Sequence, residues 1–276
     1  MLIAHITDLH IRPRGKPAYR ISETNALTER AFDAVAALRP RPDALVITGD
    51  LTDCGLPEEY ALLQSMISRL DIPVLLVPGN HDRRETLVAG LKLDPQKVLD
   101  SGFIQFIADL GPMRLIGLDT LVPGQSSGAL CEARLDVLDK ALAGANGKPV
   151  AIFMHHPPFA CGIAHMDAIR LLDGADAFAA IVARYPNVER IVCGHHHRPI
   201  IARFAGTIAQ IAPSVTHQVT LDLSEDGAAT FHMEPAAYLL HSWREGAGFV
   251  SHTAYVKRFP GPYPFVLDAD YPGAHV

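Results

Sequence analysis

Ala44-Leu45-Val46-Ile47-Thr48-Gly49-Asp50 is a short apolar, β-branched run that stops at a glycine and a carboxylate. Such a run, with no polar alternation, reads as a strand buried on both faces, the type found in parallel α/β sheets. Its flanks agree. Thr24 to Leu38 carries Ala, Leu and Glu at helical spacing, and Leu2 to Thr7 is an earlier strand. Downstream, Pro57 to Leu70 predicts a second helix and Pro73 to Val77 a third strand. Met113 to Leu118, Pro149 to Met154 and Arg190 to Val192 predict further strands, with helices over Glu132 to Leu142 and Ala175 to Tyr185. Residues 83–112 give no clear pattern. Beyond residue 198 strand candidates follow one another at 199–204, 207–211, 216–223, 228–233 and 248–256, so a β-rich part either finishes a second sheet or projects from the body. The tail Phe259-Pro260-Gly261-Pro262-Tyr263-Pro264-Phe265 cannot be helix or central strand, and is apolar enough to be expected to dock on the body or a neighbouring subunit.

The 276 residues are 49% hydrophobic and 20% charged, which excludes disorder as the main state. With 24 Lys and Arg against 30 Asp and Glu there is no basic footprint for nucleic acid, and none is expected as a partner. Met1-Leu2-Ile3-Ala4-His5 shows no basic leader and no run long enough for a bilayer, so the expectation is a soluble, cytoplasmic protein without membrane contact. Cys54, Cys131, Cys161 and Cys193 are widely spaced, form no C-x-x-C pair and read as free thiols.

The chemistry lies in the 14 histidines and the ends of the strands. The first strand runs into Asp8-Leu9-His10, the second into Gly49-Asp50 and the third into Pro78-Gly79-Asn80-His81-Asp82. Two later strands run into His155-His156-Pro157-Pro158 and Gly194-His195-His196-His197. Open α/β sheets place their sites at such carboxyl ends. In extended chain Asp8 and His10 share a side, as do His195 and His197. Periodicity leaves open which of His155 and His156 turns inward. The inward groups are Asp8, His10, Asp50, Asn80, one of that pair, His195 and His197, all nitrogen or oxygen. That is too many for one tetrahedral zinc, and it suits two divalent ions bridged by Asp50. The donor set favours Mn, Fe, Co or Zn over Ca or Mg. His81, next to Asn80, is placed to give a proton to a leaving alkoxide.

These segments, in this order over residues 1 to about 200, resemble the calcineurin-like metallophosphoesterase superfamily. Within it the chain is similar to the class III cyclic-nucleotide phosphodiesterases and closer still to the bacterial glycerophosphodiesterase branch, through Ala4-His5-Ile6-Thr7-Asp8, Arg41-Pro42-Asp43-Ala44, Cys54-Gly55, Pro57-Glu58-Glu59-Tyr60 and His217-Gln218-Val219. The resemblance implies a four-layer αββα sandwich, with a catalytic core over 1–197 and a β-rich part over 198–276 that completes it and serves in a homodimer or higher oligomer. It assigns one metal to Asp8, His10, Asp50 and His197 and the other to Asp50, Asn80, His156 and His195, taking His156 from the open pair. It also places Tyr19 and Ser127 near the substrate, with His217 as a further lining candidate.

The expected reaction is hydrolysis of a small phosphodiester, a glycerophosphodiester first and a 3′,5′-cyclic nucleotide second, by metal-activated hydroxide. Pro78 stands where phosphoprotein phosphatases of the superfamily carry an arginine, and Asp53 where purple acid phosphatases need a tyrosine. A metal-stabilised scaffold and a nuclease are the competing readings.

Overall fold

The computed structural model describes residues 1–93 and 102–265. Its first sheet is built on β1 (Leu2–Ile6), β2 (Ala44–Thr48) and β3 (Val74–Val77), which run parallel. A C-terminal hairpin extends it: β14 (Ala237–Arg244) pairs antiparallel with β1, and β15 (Gly248–Tyr255) with β14. In the second sheet β5 (Met113–Leu118), β7 (Val150–Met154), β9 (Val188–Cys193) and β11 (Thr207–Ile211) are parallel neighbours. Antiparallel β4 (Phe106–Leu110) and β10 (Ile200–Phe204) close its edges. Two short pairs complete the strands, β6 (Gly128–Ala129) with β8 (Leu171–Asp173) and β12 (Gln218–Val219) with β13 (Phe231–His232).

The layering follows from what each face buries. Ile3, Val46 and Leu239 of the first sheet meet Leu115, Ala151, Phe153 and Val192 of the second. On the outer face of the first sheet, Leu45 and Ile47 pack against α1 (Thr24–Ala36), α2 (Pro57–Ile67) and α3 (Arg84–Gly90) through Phe32, Tyr60, Leu63 and Leu87. Ile152 and Ile191 pack against α4 (Glu132–Ala143) and α6 (Ala175–Val182) through Leu138, Leu142, Phe178 and Val182. Central strands buried on both faces need unbroken apolar runs, and each such side chain contributes about 1.5–3 kcal/mol. The result is helix, mixed sheet, mixed sheet, helix.

The β-rich part does not project: β10 and β11 finish the second sheet while β14 and β15 finish the first. β14 had no signal of its own because His241 and Ser242 interrupt its apolar run; His241 is nevertheless fully buried, stacked 5.5 Å from His5 between the sheets. Of the segments 216–223 and 228–233 only Gln218–Val219 and Phe231–His232 are strand. The tail over 259–265 stands in solvent, with Phe259, Tyr263 and Phe265 exposed. Among the described residues no helix is long and apolar enough to cross a membrane. The remaining helix, α5 (Ala164–Asp167), borders the site.

Candidate metal centre

Just past the ends of β1, β2 and β9, the chain turns in a way that strand periodicity does not foresee. Asp8, His10, Asp50, His195 and His197 all have positive φ, +56°, +45°, +43°, +70° and +52°. Alternation in extended chain is therefore not what aligns Asp8 with His10 or His195 with His197; a sequence of left-handed turns does. Each such residue costs about 1–2 kcal/mol. Hydrogen bonds hold the strain: both Asp8 carboxylate oxygens accept the His195 N–H at 3.1 Å, and Asp50 Oδ1 accepts the His81 N–H at 3.0 Å. Gly79 lets the third loop close on Asp50, since a Cβ there would lie 2.2 Å from Asp50 Oδ1.

Protons can be placed from the partners. His10 Nδ1 donates to Asp53 Oδ1 at 3.1 Å, and His197 Nδ1 donates to the His217 carbonyl at 2.9 Å. Both Nε2 atoms are then lone pairs, yet they face each other at 3.2 Å. His197 Nε2 also lies 3.3 Å from Asp8 Oδ1, and His10 Nε2 lies 3.6 Å from Asp50 Oδ2. The second half repeats the pattern. His155 Nδ1 donates to the Thr48 carbonyl at 2.8 Å, and its Nε2 faces Asn80 Oδ1 at 3.1 Å and Asp50 Oδ1 at 3.4 Å. His195 Nε2 donates to the Ile169 carbonyl at 3.0 Å, leaving its Nδ1 as a donor atom. Acceptors converging on acceptors fit cations, and histidines whose far nitrogen is held by a carbonyl or carboxylate are the usual form of metal-ligating imidazole. Asp50 turns one oxygen to each half. Nitrogen and oxygen donors without thiolate suit two divalent ions of the first transition row.

Burial and neighbouring charge act against each other across the cluster. Burial alone would raise the Asp50 and Asp8 carboxyls; His155, His81 and His10 around Asp50, and His197 and His155 near Asp8, more than offset it and hold both low. Burial opposes charge on His155, but Asp50 and Asp8 lift it to about 9. His195 and His156 are pushed well down by burial and by neighbouring imidazoles.

The adjacent histidines have different partners. His155 meets Asn80 and Asp50, whereas His156 bonds to Thr120 Oγ1 at 2.7 Å through Nδ1 and to the Ser126 carbonyl at 3.1 Å through Nε2. His156 remains close, with its ring 4.6 Å from His195, and belongs to the His155–His156–His195 cluster. Both nitrogens of His155 and of His156 meet protein atoms, and both rings stand with His195 in a cluster able to hold a cation. A one-residue slip affects the serine: Ser126, not Ser127, lines the cavity. That cavity, about 380 Å³, is walled by His10, Tyr19, Asn80, His81, His195, His197 and His217, with Met166, Val219 and Phe231 as its apolar side. Tyr19 and Phe231 each approach His217, at 5.4 and 4.9 Å between ring centroids.

Two carboxylates complete the surroundings. Asp53 orients His10 and pairs with Arg12 at 3.2 Å. Asp82 never reaches His81; it accepts the N–H groups of Leu51, Thr52 and Gly79 and the Tyr60 hydroxyl, tying the second loop to the third. Its role is invisible to sequence spacing because it is satisfied by backbone N–H groups and hydroxyls.

The family model for calcineurin-like phosphoesterases matches residues 1–199. The chain belongs to that family. This calcineurin-like phosphoesterase is 37% identical, over 96% of its length and 97% of the relative's, to a "probable glycerophosphodiester phosphodiesterase" from Arcobacter nitrofigilis. It is 32% identical to a 3′,5′-cyclic-nucleotide phosphodiesterase from a Nostoc species, over 71% of each chain. Among solved structures, a dimetal phosphatase from Danio rerio superposes with a TM-score of 0.68 at 15% identity, covering 93% of this chain and 99% of that one, which shows the shared fold. As a member of its family, the phosphoesterase is a metal-dependent hydrolase, and its buried His and Asp clusters are consistent with the family's dimetal site.

Proposed function

We propose that this phosphoesterase hydrolyses small phosphodiesters, with glycerophosphodiesters as its substrates. The observation that carries the reading is the placing of Asp50 between two sets of nitrogen and oxygen donors. Asp8, His10, Asp50 and His197 would hold one divalent cation, and Asp50, Asn80, His195 and one of the adjacent His155 and His156 the other. Such a pair supplies Lewis acidity to phosphoryl oxygens and acidifies coordinated water toward neutral pH.

His81 performs the proton step. Its Nδ1 must donate to the Asp53 carbonyl, at 2.8 Å, so its Nε2 carries a proton only in the imidazolium. Burial disfavours that form, but Asp50 and the Asp53 carbonyl favour it more strongly and raise the pKa. A cationic His81 lining the cavity protonates the departing alkoxide oxygen. Tyr19 and His217 bound the cavity on the opposite side and exclude water from the substituent they cover.

Support for the glycerophosphodiester comes from relatives that match through the C-terminal hairpin as well as the core, at 34% and 37% identity. One observation favours a 3′,5′-cyclic nucleotide as a second reading: Tyr19 and Phe231 form an aromatic pair at 5.4 Å beside the cavity, able to take a base. The C-terminal part is proposed to carry contacts between copies, since Tyr255, Phe259, Tyr263 and Phe265 are exposed there.

Manganese-loaded protein, assayed for kcat/KM on glycerophosphoethanolamine, 3′,5′-cyclic AMP and a simple phosphomonoester, tests the reading. A lead for the glycerol diester supports it, and a lead for the cyclic nucleotide promotes the second reading. Preference for the monoester, or no turnover with two metals bound, removes both.

A further inference from the structure

A second cavity of about 680 Å³ opens from the first, sharing Asn80, His81 and Ser126 as a common wall and continuing between α3 and the Pro123–Gln125 loop. It contains none of the histidine ligands. The phosphoryl group belongs with the donors of the first cavity, and His81 stands at the junction, so an alcohol protonated by His81 departs into the second. Charge in that space therefore bears on the leaving group alone.

Arg84 is spent: its guanidinium meets both oxygens of buried Asp119 at 2.7 and 2.8 Å and the Leu121 carbonyl at 2.7 Å. Asp53 and Asp82 are likewise engaged, by His10 and Arg12 and by backbone N–H groups. Arg83 has no side-chain hydrogen bond or ion pair among the described residues, though Glu85 also lines the space. Arg83 is exposed, with its stem lying along Gly55. A Cβ on Gly55 would lie 2.5 Å from Arg83 Cγ, so the methylenes rest directly on that glycine, whose φ is +70°.

We infer that Arg83 reads an anionic group on the leaving alcohol, making this chain selective for phosphodiesters whose departing alcohol carries a carboxylate or phosphate. The inference rests on the phosphodiesterase reading above and names the substrate class for its site. A planar guanidinium offers two parallel N–H donors to such a group.

Glycerophosphoserine and glycerophosphoethanolamine differ only by one carboxylate and test it on the metal-loaded full chain. The serine-to-ethanolamine ratio of kcat/KM should fall about tenfold in Arg83→Ala, for a charged hydrogen bond weakened by solvent, and further in Arg83→Glu, with Arg83→Lys between wild type and Ala. An unchanged ratio overturns the inference, as does release of glycerol in place of serine. If neither diester turns over, the phosphodiesterase reading fails by itself. Calorimetric affinity for O-phosphoserine relative to O-phosphoethanolamine then reads the Arg83 contact independently, and a ratio equal in wild type and Arg83→Ala overturns it.

Discussion

His10 and His197 face each other Nε2 to Nε2 at 3.2 Å, with the hydrogen of each ring committed to an acceptor on its far side. Two lone pairs in that position repel unless a cation lies between them or a ring takes a second proton. Chelator treatment should therefore lower Tm, and manganese or zinc restore it. At an ion concentration a thousand times Kd the gain is about 4 kcal/mol, or roughly 10 °C for a chain of this size. A Tm indifferent to metal would remove the centre.

His155 and His156 make separable predictions. The Ala variant of the one that holds the second cation should cost most of one metal equivalent, counted by elemental analysis, and lower kcat by about 100-fold. The Ala variant of the other should keep both metals and lose about 1–3 kcal/mol of stability, because buried partners are left unpaired. Two full equivalents in both variants would remove the pair from the centre.

Asp50 serves both halves, Asp8 one. Asp50→Ala is expected to leave the protein with neither metal at micromolar supply, while Asp8→Ala weakens one more than the other. Two full equivalents in the Asp50 variant would end the bridging assignment.

For His81→Ala the expected signature is a rate loss that depends on the leaving group. Alkyl diesters, whose alkoxides need a proton, should slow by about 100-fold, and 4-nitrophenyl diesters by far less. Equal losses would assign His81 to charge stabilisation.

Acid stability is set by a different pair. Burial pushes His5 down to about 3 and His241 well below its ordinary value, so both stay neutral in the fold while the unfolded chain protonates them below about 6.5. The unfolded state then binds more protons, and stability is lost as pH falls from about 6.5 toward 3. Each contributes about 1.4 kcal/mol per pH unit, or about 2 kcal/mol by pH 5. His241→Phe keeps the stack with Phe249 and should flatten the decline by one such term, read as urea midpoints at pH 7 and pH 5. An unchanged slope would show that His241 is solvated in the native state.

The parts of the fold that were legible in the sequence share one property. β2, β7 and the second half of β9 are apolar because two faces are buried, and each run is followed by a polar ligand. β14 was illegible because His241 replaces an apolar residue at a fully buried place, and what compensates it is stacking with His5 and Phe249. At the site, periodicity located the ligands but not their orientation. Past Met154 and Cys193 the chain is no longer extended, so counting by twos stops being a guide, and the choice between His155 and His156 fell to local turns. The same limit separates Ser126 from Ser127. Asp82 was unassignable because its partners, three backbone N–H groups and the hydroxyls of Thr52 and Tyr60, follow no side-chain spacing.

Asp8 at the end of β1 and His195, 187 positions later past the end of β9, are joined by a hydrogen bond that crosses from one sheet to the other. Every donor set in the centre draws on both sheets. During synthesis the early strands leave the ribosome carrying Asp8, His10, Asp50 and Asn80, yet neither donor set is complete until His195 and His197 have emerged and the sheets have closed. Assembly of the whole centre is thereby deferred to the last stage of maturation, when the two sheets meet.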